Sequence, residues 1–260
     1  MDSALWTART GLEAQHKNLG IISNNLANAN THSFKRNRPE FEDLVYQVLK
    51  QPGAATSEET NTPNGIVVGT GTRLADNKKL FTQGAPIQTN NNLDVSIAGR
   101  GFLRVEVPGD SEMAYTRAGA LQLNEQGQLA MNNGYVVQPP TTIPDGAQNI
   151  NISKDGIVSV TTANGVDEVG RLEIVDFINP SGLLPLGENL YKETGGSGQP
   201  VTGTPGTEGF GAIAQGSLES SNVNIVEEMV DLVEAQRTFE MSSKAVSAID
   251  GILQYLIRGG

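Results

Sequence analysis

The sequence predicts an α+β protein with a helix at each end of the chain and a mainly antiparallel β domain between them. Apolar residues recur every seven residues at both ends of the chain, which is the spacing of one helix face. In the middle, strand-like segments alternate with turn dipeptides such as Asn133-Gly134 and Asp155-Gly156, which are typical of antiparallel hairpins. Because the two helices have matching stripes, we expect coiled-coil-like pairing. An ordinary two-helix core patch would give the same pattern.

The first predicted helix belongs to an N-terminal segment of residues 1–34. Its apolar stripe consists of Leu5, Leu12, Leu19, Ile22 and Leu26. Gly11 and Gly20 lie inside this helix, and each costs about 1 kcal/mol relative to alanine. The asparagine-rich residues 24–30 are expected to end the helix, because asparagine readily adopts left-handed backbone conformations.

Residues 35–93 are predicted to form an extended connector. It starts with a basic cluster between Phe34 and Phe41, and we expect a short helix from Glu42 to Lys50. Residues 51–65 have no core-forming pattern, which favours an irregular segment held by contacts. The expected contact residues are Phe34, Lys35, Arg36, Tyr46, Gln51 and Pro52. A solvated loop anchored by two aromatic rings is the alternative interpretation of the basic cluster.

The β domain is predicted for residues 94–204, followed by a return linker at residues 205–221. Glycine, proline and threonine dominate residues 194–211, a composition that favours flexibility. The second helix is predicted within residues 222–260, where Asn224 and Glu227 resemble a capping box. Its stripe consists of Ile225, Met229, Leu232, Phe239, Val246, Ile249 and Leu253.

Composition and charge exclude several classes of function. The net charge of -11 disfavours nucleic acid as a partner, because phosphate binding requires a basic surface. The chain has no cysteine, so no disulfide or thiolate chemistry is expected. No apolar window is long enough to span a membrane. The N-terminus lacks the basic and apolar regions of a secretory signal peptide.

No residues form a catalytic, cofactor-binding or metal-binding pattern, so we expect a protein that is not an enzyme. His16 and His32 are the only histidines, too few for a metal site without carboxylates. The Gly-x-Gly fragments at residues 69–71 and 99–101 do not continue as phosphate-binding loops. A β-rich enzyme that acts on peptidoglycan is the alternative from another class, and it requires an acid and a base paired in a cleft. A free-standing adhesin would leave the matching helices unexplained.

Four ordered motifs across essentially the whole chain resemble bacterial flagellar rod and hook proteins. They are Asn24–Thr31 with Phe34-Lys35-Arg36, Asp94–Phe102 with Tyr115–Gly119, Gly187–Tyr191, and Ser221–Asn224 with Glu227–Met229 and Glu234–Arg237. At two positions the chain departs from the family pattern: Ser33 stands where glycine is usual, and Leu121 stands where an aromatic residue is usual. Because serine resists positive φ, the sequence does not determine the backbone conformation of the turn at Ser33. Leu121 is expected to change only the packing of side chains in a core.

The resemblance implies a structural subunit of the flagellar rod, located in the basal body where the rod crosses the periplasm. It implies export by the flagellar type III pathway without a cleaved signal peptide. It also implies helical self-assembly into a hollow shaft that transmits torque and passes exported subunits, with the terminal helices forming the inner tube. The length and the segment from Tyr46 to Arg73 resemble distal-rod members. A proximal rod or hook subunit is the alternative.

The resemblance also implies the partners, and the energetics of the helices agree with assembly. The partners are further copies of the chain, proximal rod proteins, the hook protein, and the outer-membrane and peptidoglycan ring proteins, with no direct membrane insertion. Burying six large apolar residues of the first helix, at about 1.5–3 kcal/mol each, supplies at most about 10–18 kcal/mol. Ordering the backbone costs about 1–2 kcal/mol per residue. We therefore expect the terminal helices to be disordered in a free subunit and to order on assembly.

Overall fold

The computed structural model describes residues 2–51, 64–107, 113–163, 165–207 and 209–258. Within these ranges two long helices flank a series of strands, and every strand pairing is antiparallel. The α+β class is therefore confirmed. Neither helix, over its described residues, combines the length and the apolar character that a membrane span needs.

The helices are α1 Asp2–Ala27 and α2 Ile225–Arg258, and a short 3₁₀ turn covers Pro180–Gly182. The strands before residue 90 are β1 Asn37–Asp43, β2 Tyr46–Lys50, β3 Ile66–Gly69, β4 Thr72–Lys79 and β5 Pro86–Gln88. The next are β6 Val95–Ala98, β7 Leu103–Glu106, β8 Met113–Thr116, β9 Leu121–Leu123, β10 Leu129–Met131, β11 Val136–Gln138, β12 Asn149–Ile152 and β13 Ile157–Thr162. The last are β14 Gly165–Arg171, β15 Ile174–Asp176, β16 Leu184–Gly187, β17 Leu190–Lys192, β18 Val201–Gly203, β19 Ala212–Gln215 and β20 Ser217–Glu219.

The chain forms two compact units. The helical unit comprises Met1–Ala27, Asn37–Lys79 and Asn224–Gly260, and the β unit comprises Asn28–Arg36 and Leu80–Val223. These boundaries differ from the predicted ones, because residues 28–36 belong with the β unit and residues 37–79 with the helices.

In the helical unit, α1 packs against α2 and also against β1 and β4. Strand β1 pairs with β4, and β2 pairs with β3. The short helix expected from Glu42 to Lys50 is wrong, since these residues end β1 and form β2. The segment contains valine and tyrosine, which favour strands, and the β-branched residues of β3 provide a partner strand.

The β unit is built around two apolar clusters. A seven-stranded sheet has the order β16-β17-β8-β7-β11-β10-β9, and a three-stranded sheet has the order β12-β13-β14. Both sheets contribute to the main cluster, which includes Val105, Leu121, Leu129, Val158 and Val160. The second cluster is aromatic, with ring centroids 4.8–6.0 Å apart in edge-to-face geometry.

The predicted return linker at residues 205–221 contains two strands. Strand β19 pairs with β6, and β20 pairs with β5. The glycine-rich residues 194–211 contain β18 and a turn in which Phe210 N–H donates to Thr207 O at 3.0 Å. A side chain at Gly203 would overlap the Phe210 ring. Glycine therefore serves close packing here, and composition alone did not distinguish that role from flexibility.

Candidate assembly interface

The stripe of α1 is only partly covered. Ile22 is buried, whereas Leu5, Leu12, Leu19 and Leu26 are half-buried. Ala14 and Asn25 are buried as deeply as Ile22, although the seven-residue pattern does not include them. The buried face is displaced from the leucine column because a turn of 3.6 residues drifts against a strict seven-residue repeat.

The stripe of α2 changes along its length. Ile225 and Met229 are exposed, at 43% and 54%. The following members Leu232, Phe239, Val246 and Ile249 are half-buried. The side chain of Leu253 lies outside the described part of the helix. The deepest positions of α2 are Glu228 and Ala235, which lie on the same face as Leu232 and Phe239.

A buried polar contact joins the two helices and β1. Asn25 Nδ2 donates to Glu228 Oε2 at 3.1 Å and to Asn37 O at 2.8 Å, while Asn37 N–H donates to Asn25 Oδ1 at 2.9 Å. Asn25 and Glu228 are each 1% exposed. A buried polar pair of this kind fixes the register of two helices, because any slip leaves desolvated groups without partners.

Helix α2 also has an outer apolar row that the seven-residue pattern does not reveal. Its exposed members are Val226, Val230, Val233, Met241, Ile252 and Tyr255. At 100° per residue this row lies roughly 160° around the helix from the buried face. A helix that is apolar on two opposite faces needs a packing partner on each. In the described chain, only the inner face is covered.

The predicted connector residues divide between the interior and the surface. Phe34 and Lys35 are buried in the β unit, so neither side chain is available for the surface contact expected from the sequence. Arg36 is half-buried, whereas Tyr46 and Gln51 are exposed. Pro52 lies outside the described residues. Around Tyr46, the exposed apolar residues are Val45, Val48, Leu49, Ile66 and Val67.

Lys35 belongs to a buried charged triad in the β unit. Lys35 Nζ donates to Glu219 Oε1 at 2.6 Å and to Thr82 O at 2.8 Å. Arg117 Nε donates to Glu219 Oε2 at 2.8 Å, and the three charged residues are at most 4% exposed. The Arg117 guanidinium also donates to the carbonyls of Ile97, Gly99 and Gly101. The triad therefore joins the segment after α1, the segment after β8 and strand β20.

Burial and charge act against each other within the triad. Burial is the largest cause that lowers the pKa of Lys35, nearby Arg117 also lowers it, and Glu219 raises it, so that the pKa lies at about 8. Burial alone would raise the pKa of Glu219, but Arg117 and Lys35 together hold it below its ordinary value. Two cations and one carboxylate leave a net positive charge in the interior, which is costly unless its donors are satisfied.

The structure settles the turn at Ser33. Its φ is 60°, in the left-handed region. Ser33 N–H donates to Glu219 O at 2.8 Å, and Ser33 Oγ donates to Arg117 O at 2.9 Å. The hydroxyl bond therefore offsets backbone strain that a glycine would avoid. Leu121, the other departure from the family pattern, is buried in the main apolar cluster.

The histidine and acidic side chains of the described residues do not form a metal-binding group. His16 is exposed on α1 and His32 is exposed in the turn after it. Among the described side chains, no group of three or more histidine, aspartate or glutamate residues is placed to hold a metal ion. Exposed apolar residues of the helical unit lie on the outer row of α2 and on the hairpin of β2 and β3.

Three family models match successive parts of the chain. A model described as flagella basal body rod protein matches residues 5–35. The flagellar hook protein FlgE/F/G D1 domain matches residues 96–160, and the flagellar basal body rod FlgEFG protein C-terminal model matches residues 214–258.

Curated relatives match over nearly the full length. The flagellar basal-body rod protein FlgG of Buchnera aphidicola subsp. Schizaphis graminum is 46% identical over 98% of this chain and 99% of its own length. The protein of the same description from Borreliella burgdorferi is 46% identical, over 97% of both chains. That from Caulobacter vibrioides is 42% identical, over 96% of this chain and 97% of its own.

Proposed function

The chain belongs to the family of the flagellar basal-body rod protein FlgG, and we propose that it is a structural subunit of the distal rod. It self-assembles helically into a rigid hollow shaft that transmits torque and passes exported subunits. The observation that carries the proposal is the combination of this full-length similarity with terminal helices whose apolar faces are incompletely covered in one copy.

The site of action and the partners follow from this role. The protein resides in the flagellar basal body, where the rod crosses the periplasm, and it reaches that position through the flagellar type III pathway. Its neighbours are further copies of itself, proximal rod proteins, the hook protein and the surrounding outer-membrane and peptidoglycan ring proteins. The role is mechanical and requires no catalysis.

The assembly interface is proposed to include the terminal stripes. We propose that α1 and α2 pair in a coiled-coil-like manner. In one copy Ile22 is buried, and Leu12, Leu19, Leu232 and Phe239 are half-buried. Their remaining exposed area is removed from water only when other copies pack against the pair, and burial of apolar area is the main favourable term in association. The same interface is proposed to include Leu5, Leu26, Ile225, Met229, Val246, Ile249 and Leu253.

The connector is proposed to contact neighbouring copies through its exposed residues. Tyr46 and Gln51 remain candidates because they are exposed. The burial of Phe34 and Lys35 gives those two residues an internal role in the β unit instead. Contacts between connectors of successive copies would restrain bending and keep the shaft straight.

Electron microscopy of the purified chain over a range of concentrations tests the proposal. A distal-rod subunit should form straight hollow tubes above a critical concentration. Curved, flexible tubes would favour a hook subunit instead. Persistent monomers that hydrolyse purified cell wall would contradict the proposal and favour the peptidoglycan-acting enzyme.

A further inference from the structure

We propose that the outer apolar row of α2 is the docking site for the β2–β3 hairpin of a second copy of this chain. The inference rests on the proposed function, because it identifies which two surfaces meet between subunits. The stripe that the seven-residue pattern reveals is partly covered within one copy. The opposite face of the same helix is left uncovered by the described residues and is available for a contact between copies.

The docking site is a shallow apolar cleft on α2. Val226, Val230, Val233 and Met241 line it, together with Met229, Glu234, Arg237 and Thr238. The first four are 47% to 71% exposed. They recur at helical spacing on one face, so a flat or gently twisted surface can contact all of them at once. Methionine at one end of the cleft adapts its shape to a partner more readily than a branched side chain.

The proposed occupant is an apolar surface that the described part of the subunit leaves uncovered. In the hairpin Tyr46 pairs with Gly69, Val48 with Val67 and Lys50 with Ile66. Val45, Val48, Leu49, Ile66 and Val67 are 47% to 82% exposed. A two-stranded hairpin is marginally stable on its own in water. The hairpin therefore gains both stability and apolar burial by packing on a helix.

The two surfaces match in length. From Val226 to Met241 the helix rises about 22 Å at 1.5 Å per residue. Strand β2 has 5 residues and extends about 17 Å at 3.3 Å per residue. One hairpin therefore covers most of the cleft without extending past its ends.

Charge favours the hairpin over the other surfaces of the helical unit. The first half of α2 carries Glu227, Asp231 and Glu234 against one cation, Arg237, whereas β2 and β3 contain no acidic residue and include Lys50. Of these charged residues of α2, Glu234 and Arg237 line the cleft. Packing two parallel α2 rows together would bring these acidic residues towards each other. The outer face of α1 carries Arg9, Glu13, Lys17 and Asn24, together with Trp6, which is 53% exposed. Apart from Trp6 these side chains are polar, so that face offers less apolar area to a hydrophobic cleft than the hairpin does.

Cysteine cross-linking between two differently substituted chains tests the contact, because the native chain has no cysteine. One chain carries Val230→Cys, the other carries Val48→Cys, and the two are mixed and polymerised before oxidation. The expected result is a disulfide-linked heterodimer that appears only in polymer. Val230→Cys mixed with Val166→Cys is the matched control, since Val166 is also exposed but lies in the β unit, and it should give no heterodimer.

A charge exchange provides a second measurement that does not depend on disulfide geometry. Glu234→Lys should raise the critical concentration about two- to fivefold, the effect of one surface ion pair. Combining it with Lys50→Glu should restore the original value. Normal polymers without the heterodimer, or without restoration by the double variant, would overturn the docking inference and leave the proposed function intact. A native chain that never polymerises would overturn both.

Discussion

At the scale of single residues, Lys35, Arg117 and Glu219 unite three segments that are far apart in the sequence. Lys35 follows α1, Arg117 follows β8, and Glu219 ends β20. Each charge is buried, and each has hydrogen-bond partners within the β unit. Such a cluster specifies one closed arrangement of the unit, because any other arrangement leaves a desolvated charge unpaired.

Removing the carboxylate should be far more damaging than removing the lysine. Glu219→Gln leaves two cations without an anion, and breaking a buried pair in this way costs about 3–5 kcal/mol. Lys35→Met leaves the neutral Arg117–Glu219 pair and should cost much less. Urea unfolding of the two variants measures the difference. If both variants lost the same free energy of unfolding, the net charge of the triad would not determine its contribution to stability.

The triad also predicts how stability depends on pH. The pKa of Glu219 is lowered in the folded chain, so its contribution is present at neutral pH and is lost as pH falls through that lowered value. Lys35 has a folded pKa of about 8 against its ordinary 10.5. Between these two pKa values Lys35 is more protonated in the unfolded chain than in the folded chain, so the free energy of unfolding rises with pH.

The alkaline rise can be isolated with one variant. The free energy of unfolding should increase from pH 7 to about 9.5, a range that stays below the ordinary pKa of tyrosine. Lys35→Met should abolish this increase, because no other group of the triad titrates there. Urea titrations at several pH values measure both slopes. A slope that persists unchanged in the variant would assign the effect to other groups, such as Lys79, whose pKa burial also lowers.

Ser33 provides a test of how a hydroxyl offsets backbone strain. Ser33→Ala keeps the positive φ and loses the bond to Arg117 O, so it should cost about 1–3 kcal/mol. Ser33→Gly loses the same bond but relieves the strain, so it should lie within about 1 kcal/mol of the native chain. Thermal or urea unfolding compares them. Alanine as stable as glycine would contradict this account.

At the scale of elements, α2 has two functions on opposite faces. Its inner face packs on α1, with the contact between Asn25 and Glu228 near the end of α1 and the start of α2, and its outer face exposes an apolar row. The β2–β3 hairpin is the other element of the helical unit with a large exposed apolar surface. These elements are only partly buried in one copy, which is the expected state of parts that complete their packing in a polymer.

A charge within the helix pair should prevent polymerisation. Leu12 and Leu232 are half-buried, so Leu12→Asp or Leu232→Asp places a carboxylate where water is partly excluded. Polymer yield, measured by sedimentation, should fall at least about tenfold for a cost of about 1.4 kcal/mol. His16→Asp is the matched control, because His16 is exposed on the polar face of α1. Native yield from the leucine variants would refute the helix-pair interface.

At the scale of the whole molecule, the two units differ in how completely they bury their side chains. The main cluster of the β unit contains many residues with almost no exposure. The helical unit instead leaves apolar residues of α2 and of the hairpin in contact with water. We therefore expect the β unit to be stable in a free subunit and the helices to depend on assembly.

Hydrogen exchange on the free and the assembled chain measures this difference. In the free chain, amides of β7 and β13 should be strongly protected, whereas residues 5–26 and 225–256 should exchange rapidly. Assembly should protect the helices by many orders of magnitude and leave β7 and β13 nearly unchanged. Strong protection of both helices before polymerisation would contradict the expected disorder-to-order transition.

The sequence by itself determined the number and kind of the major elements. The terminal helices, the antiparallel middle and the order of the family motifs follow from local patterns, because side-chain period and turn chemistry are fixed by covalent geometry. Asn25, Arg117 and Glu219 lie within or beside these motifs, but nothing in their spacing shows that Asn25 contacts Glu228 or that Arg117 contacts Glu219. The prediction of a helix from Glu42 to Lys50 was wrong because Tyr46–Lys50 forms β2, and the strand that pairs with β2 begins only at Ile66.

Only the tertiary structure decided which faces are covered. It placed Lys35 in the interior and not on the surface, turned the predicted return linker into β19 and β20, and left the outer row of α2 exposed. The physical reason is that burial depends on residues brought together from distant parts of the chain. An apolar stripe on α2 indicates that this face must be covered. Which residues cover it is determined by the fold and by the assembly.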